Sequence, residues 1–147
     1  MLQLLPILPI YEDNQDLLAD PACKDTLRAS VDYYGTIGFY PPWICYIASK
    51  DKRLVGGAGI KGRPVNNKIE IAYGTFPEFQ RQGIGTEICA ALVSLALNAD
   101  PGVIVTARTL PENNYSVRIL EKNGFRFLSP VWDKDDGDVW EWQYDPA

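Results

Sequence analysis

Between residues 68 and 95 the chain changes its hydrophobic period once, over a few residues. In "KIEIAYGTF" (68–76), Ile69, Ile71 and Tyr73 alternate with Glu70, Ala72 and Gly74, the period of a strand. Beyond it, Ile84, Ile88, Ala91, Leu92 and Leu95 follow at spacings of four, three, one and three, which is the stripe of an amphipathic helix. The switch runs through "FPEFQRQGIGTEI" (76–88), where Gly83 and Gly85 stand one residue apart. A chain with this junction at its centre has to set a helix against a strand. The glycines themselves admit two readings. They can be an ordinary strand-to-helix turn, or a place where backbone N–H groups must approach an anion. The first turn of a helix has N–H groups without helical partners and the favourable end of the helix dipole, and glycine lets a ligand come close. Thr86 can add a hydroxyl, and Gln80 and Arg81 reach the same place from the loop.

The flanks fit one mixed domain. Residues 2–10 read as a first strand, marked as an edge by Pro6 and Pro9. Asp20 and Pro21 have the form of an N-cap and first helical residue, and Leu27, Val31 and Tyr34 then share a helical face. "GFYPPW" ends that helix. "WICYIAS" and "RLVGGAGIKG" are strands joined by the turn "KDKR". "GVIVTAR" is a β-branched buried strand. "NNYSVRILEKNGF" is a short helix with Asn at its start, Gly124 past its end, and Phe125 placed to fold back on Leu120. "FRFLSPVW" and "DVWEWQY" form a last hairpin around "DKDDGD". With no repeat, linker or low-complexity stretch, this is a single α/β (α+β) domain, residues 1–147, with a mixed sheet.

Composition narrows the chemistry. A net charge of −5 argues against nucleic-acid binding, which needs a basic footprint. The chain has no histidine, which removes Ser-His-Asp and Cys-His catalysis and the usual imidazole metal ligands. Acid–base work falls to carboxylates, hydroxyls, a thiol or an amine. Cys23, Cys45 and Cys89 have neither a disulfide nor a zinc spacing, so no metal and a reducing, cytoplasmic setting are expected. No stretch is long and apolar enough for a membrane span. The glycines are not a Walker loop, since no Gly-Lys-Ser/Thr follows, and a dinucleotide fingerprint would need a third glycine where Ile88 stands.

Two segments taken together carry a resemblance. "QRQGIG" (80–85) has the form Q/R-x-x-G-x-G/A, and "NNYSVRILEKNGF" starts 28 residues beyond Gly85. The chain resembles the GNAT superfamily of acetyl-CoA-dependent N-acetyltransferases, over residues 40–130, with "PENNYSVRILEKNGF" similar to the block found in the branch that acetylates ribosomal-protein N-termini. The resemblance implies a GNAT fold, a mostly antiparallel sheet with splayed central strands (69–76 and 103–109), and acetyl-CoA as cofactor. It implies that Gln82, Gly83, Ile84, Gly85 and Thr86 hold the CoA pyrophosphate with Arg81 as charge partner. It implies that backbone groups of Thr75 and Phe76 pair with the pantetheine amides. Asn113 is implied as a side chain that hydrogen-bonds the cofactor; on its own it reads as a helix N-cap, and it can be both.

The reaction so implied moves an acetyl group directly to a primary amine, either a protein N-terminus or a small amine. Such amines are mostly protonated at neutral pH, with reference pKa values of about 10.4 for lysine and about 8 for an α-amine. A base is therefore needed, and without histidine a carboxylate is the natural one. Glu70, in "EIAY", matches the position where several members of the branch carry a Glu assigned that role; Glu78 and Glu112 lie in loops beside prolines. Many relatives carry a Tyr acid where this chain has Leu120, and Ser116 matches the serine that the ribosomal-type branch can use instead. Cys89 reads as a small buried hydrophobe rather than a nucleophile. The other readings are a non-catalytic acyl-CoA-binding module and an unrelated phosphate-binding interaction domain.

Overall fold

Seven strands form one sheet in the order β1-β2-β3-β4-β5-β7-β6 in the computed structural model, which describes residues 1–146. Ala147, included in the expected domain, lies outside the described residues. The strands are β1 (Leu2–Pro6), β2 (Cys45–Lys50), β3 (Arg53–Ile60), β4 (Lys68–Thr75), β5 (Ile104–Thr109), β6 (Phe125–Asp133) and β7 (Gly137–Tyr144). The helices are α1 (Gln15–Leu18), α2 (Lys24–Ile37), α3 (Ile84–Ala99) and α4 (Tyr115–Lys122). The first strand stops at Pro6, short of the expected residue 10, and it is an edge strand as its prolines require. Asp20 caps a single turn, Pro21–Cys23, by accepting the Ala22 N–H at 3.0 Å, and α2 follows directly.

Every strand pair is antiparallel except β4 with β5. That parallel pair is joined by α3, as a crossover requires. Its register runs only from Lys68↔Ile104 to Ile71↔Ala107. β4 continues to Thr75 and β5 to Thr109 without pairing to each other, so the sheet opens at its centre. The expected splay of these two strands is present.

The apolar stripe of α3 closes one face. Ile88, Leu92 and Ala96 are fully buried against Ile69, Ile71 and Val105, with Cys89 and Val93 widening the stripe beyond the sequence reading. Burial of a residue such as Leu92 stabilises by about 1.5–3 kcal/mol. A smaller cluster, Ile7, Leu17, Cys23, Leu27 and Ile47, fixes α1 and α2 to the sheet. The hydrophobic row of β4 therefore faces α3, and Glu70, Ala72 and Gly74 face the opposite side, toward α2.

The helix α4 corrects one expectation. Its N-cap is Asn114, whose side chain accepts the Val117 N–H at 3.2 Å; Asn113 stands one residue outside and exposed. At the other end Gly124 adopts φ +82° and its N–H bonds the Glu121 carbonyl at 3.1 Å, while Phe125 and Leu120 share the core.

Candidate active site

The glycine segment opens α3 with backbone that few residues tolerate. Gly83 is the N-cap at φ +78°, with no side chain capping the first turn, and Arg81 is also left-handed at φ +65°. A Cβ at Gly83 would meet nothing within 4 Å, whereas one at Gly85 would stand 2.8 Å from Ile119 Cδ1. Gly83 thus faces open space, and Gly85 is the point where α3 presses on α4.

Beside the helix start lies a cavity of about 430 Å³ between β4, the glycine loop and α4. Thr75, Arg81, Ile84, Gly85 and Ser116 line it, and so does Arg118, which sequence reasoning passed over. Arg118 projects from the first turns of α4 within the "SVRILEK" block, and two guanidinium groups rather than one therefore face the helix start. Gln82, Gly83, Thr86 and Asn113 do not line this cavity; Gln82, Gly83 and Asn113 are exposed and Thr86 half-buried. The site suits a diphosphate: unpartnered first-turn N–H groups, two cations and no side chain in the way.

Backbone availability in β4 corrects the expected pairing of Phe76. Its N–H donates to the Val55 carbonyl at 2.8 Å, and its own carbonyl accepts the Phe79 N–H at 2.8 Å. Both groups are engaged, so Phe76 offers no backbone edge to an added strand. Antiparallel alternation then turns the groups of Tyr73 and Thr75 toward the opening beside β5. The Thr75 carbonyl is covered by the Gln80 side-chain amide at 3.2 Å.

A smaller cavity of about 200 Å³ passes through the opening, and Glu70 and Ser116 both line it, one from each side of the sheet. Glu70 is held by Lys61 Nζ at 2.8 Å and by Arg108 Nε at 3.7 Å. Arg108 also binds Asp133 at 2.9 Å and Glu141 at 3.4 Å, tying β4, β5, β6 and β7 together around the carboxylate. Burial works against the Lys61 charge, but Glu70 outweighs it and holds the ammonium above its usual range. Burial likewise opposes the Arg108 charge, and its three carboxylates more than compensate. The Asp135 N–H, Arg108 and the Asp136 N–H bring the Asp133 carboxyl down to about 2. Lys61 and Arg108 were not singled out in the sequence, because ion-pair partners this far apart in the chain leave no local pattern.

Cys89 is fully buried, and burial pushes its thiol up to about 11. A thiol so protonated is a poor nucleophile, in keeping with its reading as a core residue. No group of residues with a metal-binding arrangement occurs among the described residues. Glu78 and Glu112 are exposed, as expected for loop carboxylates.

The family described as "Acetyltransferase (GNAT) domain" matches residues 18–126. An N-acetyltransferase of Bacillus subtilis strain 168, YjdG, itself uncharacterized, is 39% identical over 93 residues, 62% of this chain and 54% of the relative. The chain thus spans about half the length of that curated relative. An aminoglycoside acetyltransferase, AAC(6')-Ib, solved with coenzyme A and kanamycin, superposes with a TM-score of 0.71 at 20% identity, covering 98% of this chain and 95% of that one. RimL, a ribosomal L7/L12 alpha-N-protein acetyltransferase solved with coenzyme A, gives 0.68 at 13% identity over 97% and 92%. Both show the same mixed fold.

Proposed function

Since the chain belongs to the GNAT acetyltransferase family, we propose that it is an acetyl-CoA-dependent N-acetyltransferase that moves the acetyl group directly to a primary amine. The observation that carries this reading is the opening between β4 and β5, with the glycine-led start of α3 on one face and Glu70 on the other. Acetyl-CoA, the cofactor of the family, supplies an activated acetyl thioester. The N–H groups from Gly83 to Thr86, with Arg81 and Arg118, hold its pyrophosphate. The Thr75 N–H, joined by the Tyr73 backbone in place of Phe76, presents the edge for the pantetheine arm. Gln82 and Asn113 serve at the outer end of the cofactor.

Glu70 accepts the proton of the incoming ammonium, directly or through one water. The pairing with Lys61 and Arg108 fixes its direction into the opening. Ser116, across the gap, supplies a hydroxyl to the departing sulfur. Two of the neighbours are named for amine acceptors, an aminoglycoside and a protein α-amine. A cytoplasmic setting suits the three unpaired cysteines, and no helix among the described residues is long and apolar enough to cross a membrane.

Release of free thiol from acetyl-CoA over an amine panel tests this directly. Glu70→Gln is expected to lower kcat about 10²–10⁴-fold with little change in CoA affinity. Near-full activity of that variant across pH would remove Glu70 as the base. A non-catalytic acyl-CoA-binding module is the second reading, favoured by Leu120, a buried side chain where many relatives carry a tyrosine acid. Thermal stabilisation by CoA without thiol release against any amine would decide for it.

A further inference from the structure

On the α2 side of the sheet lies a second cleft, of about 490 Å³, which meets the first along Tyr73, Gly74 and Thr75. This is the size of a small-ligand site. Its floor is made by small residues, Gly57 and Gly59 of β3 and Ala72 and Gly74 of β4. Glu70, Ala72 and Gly74 form one row on this face, so the floor leads to the Glu70 carboxylate. A Cβ at Gly74 would meet nothing within 4 Å, so the floor is open above it.

The walls have lost most of their polar character to internal bonds. The Tyr34 hydroxyl donates to the Ile60 carbonyl, and the Tyr33 hydroxyl lies 3.5 Å from the Lys61 carbonyl. What faces the cleft is mostly ring, methyl and backbone, with the small polar side chains of Thr26, Ser30, Cys45 and Thr75 among them. The one charged side chain on its wall is Lys61, a cation already paired with Glu70. The acidic residues that line the neighbouring cleft with Glu70 are Asp133 and Glu141, both held by Arg108, and Asp135, a single carboxylate there without an ion pair among the described residues. A polycation would need a row of unpaired carboxylates along its path, and the described wall of this cleft has none.

From this we infer that the acceptor is a small primary amine carried on an apolar body, and that this body lies beside α2 over the Ala72–Gly74 floor, since a Cβ at Gly57 would already stand 3.1 Å from the Thr26 methyl of α2. The chain's overall negative charge does not select the acceptor; the local surface does. The inference rests on the transferase reading above for the word acceptor, but the cleft's preference can be measured without turnover.

The experiment titrates 2-phenylethylamine and spermidine into the intact protein saturated with CoA, by calorimetry and by NMR of the Ala72 and Gly74 amides. 2-Phenylethylamine is expected to bind about tenfold or more tightly than spermidine, with shifts at both amides. Ala29→Trp, which fills the cleft from the exposed side of α2, is expected to weaken it about fivefold or more while leaving CoA affinity unchanged. Tyr33→Ser, which removes a wall ring, serves the same purpose should the tryptophan variant fail to fold. Tighter binding of spermidine, or indifference of 2-phenylethylamine to both variants, overturns the inference. Thiol release with the same two amines separates the two ideas. Selective binding of the apolar amine without turnover sinks the transferase reading and leaves the cleft assignment standing. Preferential turnover of spermidine does the reverse.

Discussion

Gly83 and Gly85 lie one residue apart, and the fold asks different things of them. Gly83 needs its left-handed backbone and faces open space; Gly85 needs to have no side chain. Gly83→Asp is therefore expected to weaken CoA by about 1.4–3 kcal/mol, about tenfold to beyond a hundredfold in Kd, through a negative charge at the pyrophosphate. Gly83→Asn tolerates the same backbone without the charge and should lose much less. Equal CoA affinity in the wild type and Gly83→Asp, by calorimetry, would remove the phosphate assignment. Asp133 offers a pH test. Its folded carboxyl sits at about 2, below the usual 3.8, so its contribution to stability is present above the unfolded value and lost as pH falls toward about 2. Asp133→Asn should lower the urea midpoint near neutral pH and leave it unchanged near pH 2; an equal loss at both would show that the carboxylate charge is not the cause. At this scale the sequence was readable where chemistry is local. Asp20 as a cap and Gly124 as a helix stop need only their neighbours. Phe76 was misread because which edge of a strand its amide faces depends on the register with β3, and Asn113 because two adjacent asparagines cap equally well until the helix start is known.

Among the elements, α3 was the most legible, since its stripe is long and its start is marked by glycine. β1 was overextended because Pro9 and Ile10 continue an apolar run that the β2 partner does not reach. What the stripe could not reveal is how closely α3 meets α4. Gly85 stands against Ile119, and the Asn123 side chain also donates to the Thr86 carbonyl at 3.2 Å. A methyl at Gly85 would stand 2.8 Å from Ile119 Cδ1 and 3.4 Å from Thr75 Oγ1. Gly85→Ala is expected to destabilise by about 1–3 kcal/mol, because the two helices must part slightly or Ile119 must change rotamer. The melting temperature should fall by about 2–4 °C per kcal/mol for a chain of this size. An unchanged melting temperature would mean that Ile119 moves aside at no cost and that the glycine is there for the ligand alone.

For the whole molecule, the decisive feature is a sheet that is continuous at one end and open at the other. β4 and β5 share four register positions and then part. The local period of each strand was plain in the sequence, but the parting is a property of two strands and the helices beneath them, and only the family resemblance pointed to it. An open sheet leaves backbone N–H and C=O groups without strand partners, and a ligand laid between the strands supplies them. Coenzyme A at about a hundred times its Kd should add about 2.7 kcal/mol, raising the melting temperature by roughly 5–10 °C. The gain should be localised. Amide exchange at Tyr73 and Thr75, on the open edge, should slow on binding beyond the global change, whereas Phe76, whose amide already bonds Val55, should show only the global change. Uniform slowing along β4 would mean that the cofactor stabilises the chain from the helix start alone. Extra protection confined to the open edge would place its arm between the strands, next to Glu70 and Ser116, where the acyl group must arrive if the amine is to meet it from the α2 side.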